Sequence, residues 1–266
     1  MDISHVTIPN EEEIEVQAFV SLFDASSPAF AGAFDFACLK VGNGCAISLP
    51  AAPAFGLNRI IGVRATEDLG TAYEWMKARL GNRVLQIDAE HASQNVRGWI
   101  QDKKLRPTGA GWVKLTRPTR TLQLPQRWPF DVRKALPSDA DTFASVLCSG
   151  FGFPHELSPL WSAIVGKHGW SCFIAEKGEA VIGGAAMFSR NGYAWLGGAT
   201  TLTEFRGMGV QQALINARLN EGRKIDVHTF AVETTVPQPG EPNISFANLS
   251  KAGFRRSYNR TNFSLE

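Results

Sequence analysis

Thr200-Thr201-Leu202-Thr203-Glu204-Phe205-Arg206-Gly207-Met208-Gly209-Val210-Gln211-Gln212-Ala213-Leu214 is the stretch on which the reading of this chain turns. An apolar, glycine-containing run (Tyr193, Trp195, Leu196, Gly197, Gly198, Ala199) ends just before it, and Val210, Ala213, Leu214 and Ala217 then recur at helical spacing. The pattern predicts strand, tight glycine turn, helix. In that setting Gly207 and Gly209 let the backbone approach a ligand closely, and the first helical amides point outward without an intrahelical partner at the positive end of the helix dipole. Such a turn suits a phosphate group. The alternative is a glycine loop that merely joins two elements.

Two familiar phosphate loops fit less well. A dinucleotide fingerprint needs a third glycine where this chain has Gln212, and a triphosphate loop needs a lysine after its last glycine, where this chain has Val210. Arg206 adds a fixed guanidinium beside the two glycines, which suits a diphosphate held without a metal.

The 266 residues suffice for one large core or two domains of roughly 100–150 residues. Apolar residues at 44% and charged residues at 20% fit a globular protein, and a formal charge of +2 without a basic stripe argues against a nucleic-acid partner. No run approaches the about 18 apolar residues of a membrane span, and Met1-Asp2-Ile3-Ser4 does not open a secretory signal, so the expectation is a cytoplasmic protein with no membrane partner. Cys38, Cys45, Cys148 and Cys172 lack metal-ligand spacing, as do the histidines, and free buried thiols with no metal are expected.

In chain order, the patterns predict a helix over Glu11–Phe23 and a hairpin of Phe34–Leu39 with Cys45–Leu49 across Asn43-Gly44. A strand (58–64), a helix (68–80), a strand (84–87), a helix (93–101) and a strand (112–115) follow. Arg117–Trp128, broken by Pro118 and Pro125, is either a domain boundary or a strand edge through Thr121–Leu124 shared by both halves. The second half repeats the order. Strand 132–135 precedes a helix that Ser138 is placed to cap, an aromatic loop (Gly150–His155) and a helix over Leu160–Val165. A meander of 170–176, 180–190 and 193–199 leads into the central helix, strand 227–233, a short helix capped by Asn243 or Ser245, and a last strand from Tyr258 to Leu265.

From about Val132 to Phe263 the chain resembles the GCN5-related N-acetyltransferase (GNAT) superfamily. The resemblance rests on Arg206-Gly207-Met208-Gly209-Val210-Gln211, set against that family's Q/R-x-x-G-x-G/A loop, and on Ser245-Phe246-Ala247-Asn248-Leu249-Ser250-Lys251-Ala252-Gly253-Phe254. Gln211 departs from the small last residue of the loop. The resemblance implies an α/β (α+β) fold with a central mixed, mainly antiparallel sheet flanked by helices, in tandem. Residues 1–118 would be a degenerate GNAT-like half without a cofactor loop, walling the acceptor cleft, and 119–266 the acetyltransferase domain. It implies acetyl-CoA as donor, in a splay between strands. The cofactor would be held by Thr201, Leu202, Arg206, Gly207, Met208, Gly209, Val210, Gln211, Gln212, Ser245 and Asn248, with the backbone at Thr200 and Thr201 near the thioester. Many relatives place a proton-donating tyrosine where this chain has Leu249, which cannot donate.

Acyl transfer to an amine needs a base, and Glu233, at the end of a cleft strand, is the first candidate; the alternative is an exposed strand-end carboxylate. His155 is second and His228 third. Phe151, Gly152 and Phe153 are candidates for the acceptor wall, or plain packing at a helix end. The implied activity is N-acetyl transfer to a small-molecule amine by an enzyme that could form a homodimer. The competing class is a non-catalytic acyl-CoA-binding module.

Overall fold

The computed structural model describes residues 9–119 and 127–265. The expected strand edge at Thr121–Leu124 lies outside the described residues. The first half contains α1 (Asn10–Ala25), α2 (Pro28–Ala33), β1 (Ala37–Val41), β2 (Gly44–Ser48), β3 (Asn58–Ile61), α3 (Thr66–Lys77), β4 (Val84–Ile87), α4 (Gln94–Asp102) and β5 (Trp112–Pro118). The second contains β6 (Asp131–Lys134), α5 (Ala140–Phe151), α6 (Ser158–Ser162), β7 (Trp170–Lys177), β8 (Ala180–Arg190), β9 (Tyr193–Trp195), β10 (Ala199–Thr201), α7 (Val210–Lys224), β11 (Thr229–Thr235), α8 (Ile244–Lys251) and β12 (Arg255–Ser264).

Local chemistry explains most of these elements. Gly42, at φ +54°, turns the β1–β2 hairpin one residue earlier than Asn43-Gly44 suggests. Ser93 and Asn243 cap α4 and α8 by accepting the Val96 and Phe246 amides. Ser138 does not cap α5. It sits in a short 3-10 turn whose Pro137 carbonyl accepts the Ala140 amide, and the Asp139 carboxylate takes the Leu136 amide. Ser27, followed by Pro28, caps α2, a helix the apolar spacing does not reveal.

The strands form one sheet in the order β1-β2-β3-β4-β12-β5-β11-β9-β8-β7-β6, with β10 paired to β8. It is mixed and mainly antiparallel: β3–β4 and β9–β11 are the parallel pairs. Helices cover it, giving the α+β architecture anticipated above. Each half runs hairpin, strand, helix, parallel strand, helix, final strand. The final strands are exchanged. β5 enters between β11 and β12, and β12 pairs with β5 through Arg260 and with β4 from Thr261 onward. Helix α1 also bridges the halves: Phe19 packs on Trp195 with centroids 5.2 Å apart, and Ser21 accepts the Trp170 indole N–H at 3.0 Å.

Candidate acyl-CoA site

The sheet opens where β9 gives way to β10. Tyr193–Trp195 pair with Thr229–Ala231, and the Leu196 amide still donates to the Ala231 carbonyl at 2.8 Å. Beyond that point β10 stays with β8 and β11 stays with β5, leaving facing edges with no strand between them. The cause is a bulge. The single Ala186 amide is shared by the carbonyls of Gly197 and Gly198, at 3.1 and 3.2 Å. Gly198 has φ +53°, and a Cβ at Gly197 would run into the Trp195 ring, so the Trp-Leu-Gly-Gly sequence is what permits the splay.

Below the splay, the turn into α7 lines a cavity of about 470 Å³ with Thr200, Thr201, Arg206, Gly207, Gly209, Val210, Gln211, Gln212, Ser245 and Asn248. Among the described residues nothing lies against Gly207 (φ +83°), and the buried Thr201 hydroxyl has no partner. An open glycine, an orphaned hydroxyl, an exposed Arg206 and a helix start with no side-chain cap fit a diphosphate-bearing ligand. Gly209 differs from its sequence-level reading: a Cβ there would strike the Trp128 ring, so its φ of +86° serves protein packing as well as the turn. Gln211 and Gln212 bond across to Ser245 and Asn248 (2.7–3.1 Å), tying α7 to α8. Leu202 and Met208 do not line this cavity, and the Leu202 amide is taken by the Ile182 carbonyl.

A second cavity of about 300 Å³ lies in the splay itself, bounded by Gly197 and Gly198, by Phe151, Phe153 and Trp161, and by Phe19, Arg59 and Trp112 from the first half. Phe151 and Trp161 stack at 5.9 Å. Gly152, at φ +68°, closes α5 in the left-handed region and lies outside the cavity wall. Leu249 lines the cavity and is buried. His155 is exposed in a 3-10 turn and reaches neither cavity; His228 is exposed at the start of β11.

Glu233 lines the splay cavity and is not an exposed strand-end carboxylate, its side chain being 7% exposed. Its Oε2 accepts the Trp195 indole N–H at 2.8 Å and Lys114 Nζ at 3.1 Å, and Arg59 stands 3.4 Å from Oε1. These donors belong to a buried ionic cluster centred on Glu15, which accepts from Lys114, from Arg59 at 2.6 Å and from Arg260 at 2.8 and 3.1 Å. Burial alone would raise the Glu15 pKa; Arg260, then Lys114 and Arg59, override it and hold the carboxyl well below its usual range. Arg59 also reaches Gln86 at 2.5 Å, and Gln86 reaches Asn262 at 2.8 Å. The cluster thus joins α1, β3, β4, β5, β11 and β12 directly behind the splay. Among the described residues no group of His, Cys, Asp and Glu could hold a metal.

Residues 140–254 match the model of the Acetyltransferase (GNAT) family. The chain has the GNAT fold. Its likeness to solved structures is one of architecture. A GCN5-related N-acetyltransferase from Sphaerobacter thermophilus aligns at TM-score 0.60 and 16% identity, covering 76% of this chain and 68% of that one. One from Kribbella flavida aligns at 0.59 and 12%, covering 97% and 96%. A tandem GNAT protein from the clavulanic acid biosynthesis pathway aligns at 0.56 and 12%, covering 96% and 94%. No curated protein matches the sequence.

β9 and β10 together form the bulged strand, α7 follows the Arg206–Gly209 turn, and β11 is the other arm of the splay. The corresponding turn of the first half, between β3 and α3, carries no such loop. Arg64 there is bound to Glu12 at 2.7 Å, and Glu67 and Asp68 put negative charge on the first turn of α3, where a phosphate would need the opposite.

Proposed function

We propose that the protein transfers an acetyl group from acetyl-CoA to an amine of a small molecule. The observation that carries this reading is the shared wall of the two cavities: Ala199, Gln211 and Ser245 line both, so a ligand seated on the Arg206–Gln212 turn lies beside the aromatic cleft. The free edge of β10 supplies backbone donors beside that wall: the Leu202 amide is taken by Ile182 of β8, so in the same ladder parity Thr200 turns its amide to β8 and Thr201 turns its own outward, toward pantetheine or thioester oxygens. Phe151 and Phe153 form the acceptor side, and Phe19, Arg59 and Trp112 make residues 1–118 its opposite wall.

Glu233 is the carboxylate of the cleft and takes the role of proton acceptor for the amine. Oε1, which among the described residues is held by Arg59 alone at 3.4 Å, is the oxygen left for that work. With Oε2 engaged by Trp195 and Lys114, Glu233 is fixed in place to orient the amine as well as to accept its proton. With Leu249 in the tyrosine position, coenzyme A leaves as a thiolate, feasible for a thiol whose pKa is about 8.5. The same leucine favours one second reading, an acyl-CoA-binding module without turnover.

Thiol release from acetyl-CoA against a panel of primary amines separates the two. The enzyme reading expects release that depends on the amine; saturable acetyl-CoA binding with no release from any amine supports the module. Because the first half has no phosphate turn, calorimetry is expected to give one acetyl-CoA per chain. Two equivalents would overturn the assignment of residues 1–118 as a non-binding wall.

A further inference from the structure

Arg218, on α7, is 2% exposed and lines the splay cavity. Among the described residues its guanidinium makes two hydrogen bonds, both to backbone carbonyls: Nε to Leu214 at 3.1 Å and Nη1 to Ala186 at 3.3 Å. Ala186 is the residue whose amide holds the bulge carbonyls of Gly197 and Gly198, so the cation lies beneath the point where the sheet opens. No carboxylate pairs with it among the described residues. Glu233, the carboxylate lining the same cavity, is held by Lys114 and Arg59. The cavity therefore carries two guanidinium groups against one carboxylate.

An ionised group taken out of water without a counter-charge is strongly disfavoured, and protein interiors pair or neutralise such groups. Burial pushes the Arg218 pKa down to about 9, so the side chain is still charged at neutral pH. Its planar fork keeps donors uncommitted on Nη2, in the geometry that receives a carboxylate.

We infer that Arg218 receives a carboxylate of a bound substrate, so that either the acceptor is an amino-acid-like amine or the acyl donor carries a terminal carboxyl group. The inference rests on the acyltransferase reading above and narrows it. A carboxylate entering the cleft restores charge balance around Arg218, and a neutral substrate leaves the cation as it is. The aromatic wall of Phe151, Phe153 and Trp161 then accommodates the apolar remainder of the ligand.

Two arms identify the source of the carboxylate. In the first, acetyl-CoA is held constant and matched acceptors are compared, phenethylamine with phenylalanine and butylamine with norleucine. In the second, one amine is held constant and acetyl-CoA is compared with malonyl- and succinyl-CoA. The expected result is a preference of about tenfold or more in kcat/KM for the carboxylate-bearing member in one arm. In Arg218→Met and Arg218→Lys that ratio should collapse toward one for methionine and fall only in part for lysine. Two folded variants are used so that failure of one to fold leaves the ratio measurable. Thermal unfolding adds an independent sign: Arg218→Met removes a buried unpaired cation, and it should not lower the melting midpoint of the ligand-free protein. The inference is overturned if wild-type protein shows no carboxylate preference in either arm, or if both variants keep the wild-type ratio. Acetyl-CoA calorimetry on the wild type separates the levels. Binding and turnover without preference sink only the role of Arg218, whereas absence of both binding and turnover sinks the acyltransferase reading and this inference with it.

Discussion

Glu15→Gln is expected to lower stability by about 3–5 kcal/mol, the largest single-residue loss anticipated for this protein. Glu15 is fully buried and faces Lys114, Arg59 and Arg260, themselves buried. Glutamine keeps the volume and some hydrogen bonds but leaves those cations with too little negative charge, and an uncompensated buried charge is the costly state. The contribution has a defined pH sense. The folded-state carboxyl is held well below its usual range, so its stabilisation is fully present above the unfolded value of about 4.3 and is lost as pH falls through the lowered folded value. Chemical denaturation at pH 7 and at progressively acidic pH measures both. A loss under about 1 kcal/mol at pH 7 would mean that the cluster does not hold the two halves together.

Glu233→Gln is the second large effect, and it falls on turnover. General acid–base groups contribute typically about 10²–10⁴-fold, so a fall of at least about tenfold in kcat is expected, with acyl-CoA affinity nearly unchanged. The rate should rise with pH along a limb owned by the enzyme's base or by the acceptor amine. A second acceptor of different amine pKa distinguishes them, because an enzyme limb stays in place and an amine limb moves. Glu233 also belongs to the ionic cluster, so the stability of the variant must be measured beside its rate. Full turnover with an unchanged pH profile would reduce the residue to a structural partner of Trp195, Lys114 and Arg59.

How much of this was legible in the sequence follows the distance over which each feature is determined. The turn from Arg206 into α7 and the existence of the hairpins are set by residues a few positions apart and are legible in spacing, whereas spacing leaves the cap of α8 open between Asn243 and Ser245 and puts the first hairpin turn one residue late. The exchange of β5 and β12 is not legible there. The register of Val113 against Asn259, or of Thr261 against Ile87, depends on partners more than a hundred residues away. Burial of charge failed for the same reason. Lys114 alternates with Val113 and Leu115 as an outward-facing residue would, yet α1 lays Glu15 over it and both faces of β5 are covered. Glu233 looked like an exposed strand end because Arg59 and Lys114 lie 174 and 119 positions away. Arg218 did leave a local trace, a charged residue one turn beyond Leu214 on the apolar stripe of α7, although spacing alone could not say that it has no counter-ion.

The central claim is that one acyl-CoA binds at the turn between β10 and α7. Gly207→Asp tests it most directly. Among the described residues nothing lies within 4 Å of a Cβ at that position, and aspartate is among the residues that enter the positive-φ region at modest strain, so the fold should survive while a negative charge is placed in the proposed diphosphate cradle. Isothermal titration with acetyl-CoA is expected to give one site of micromolar-range affinity in the wild type. In the folded variant that affinity should weaken by about 1–3 kcal/mol, roughly tenfold to over a hundredfold. Unchanged affinity in Gly207→Asp, or no acetyl-CoA binding by the wild-type protein, would contradict the account.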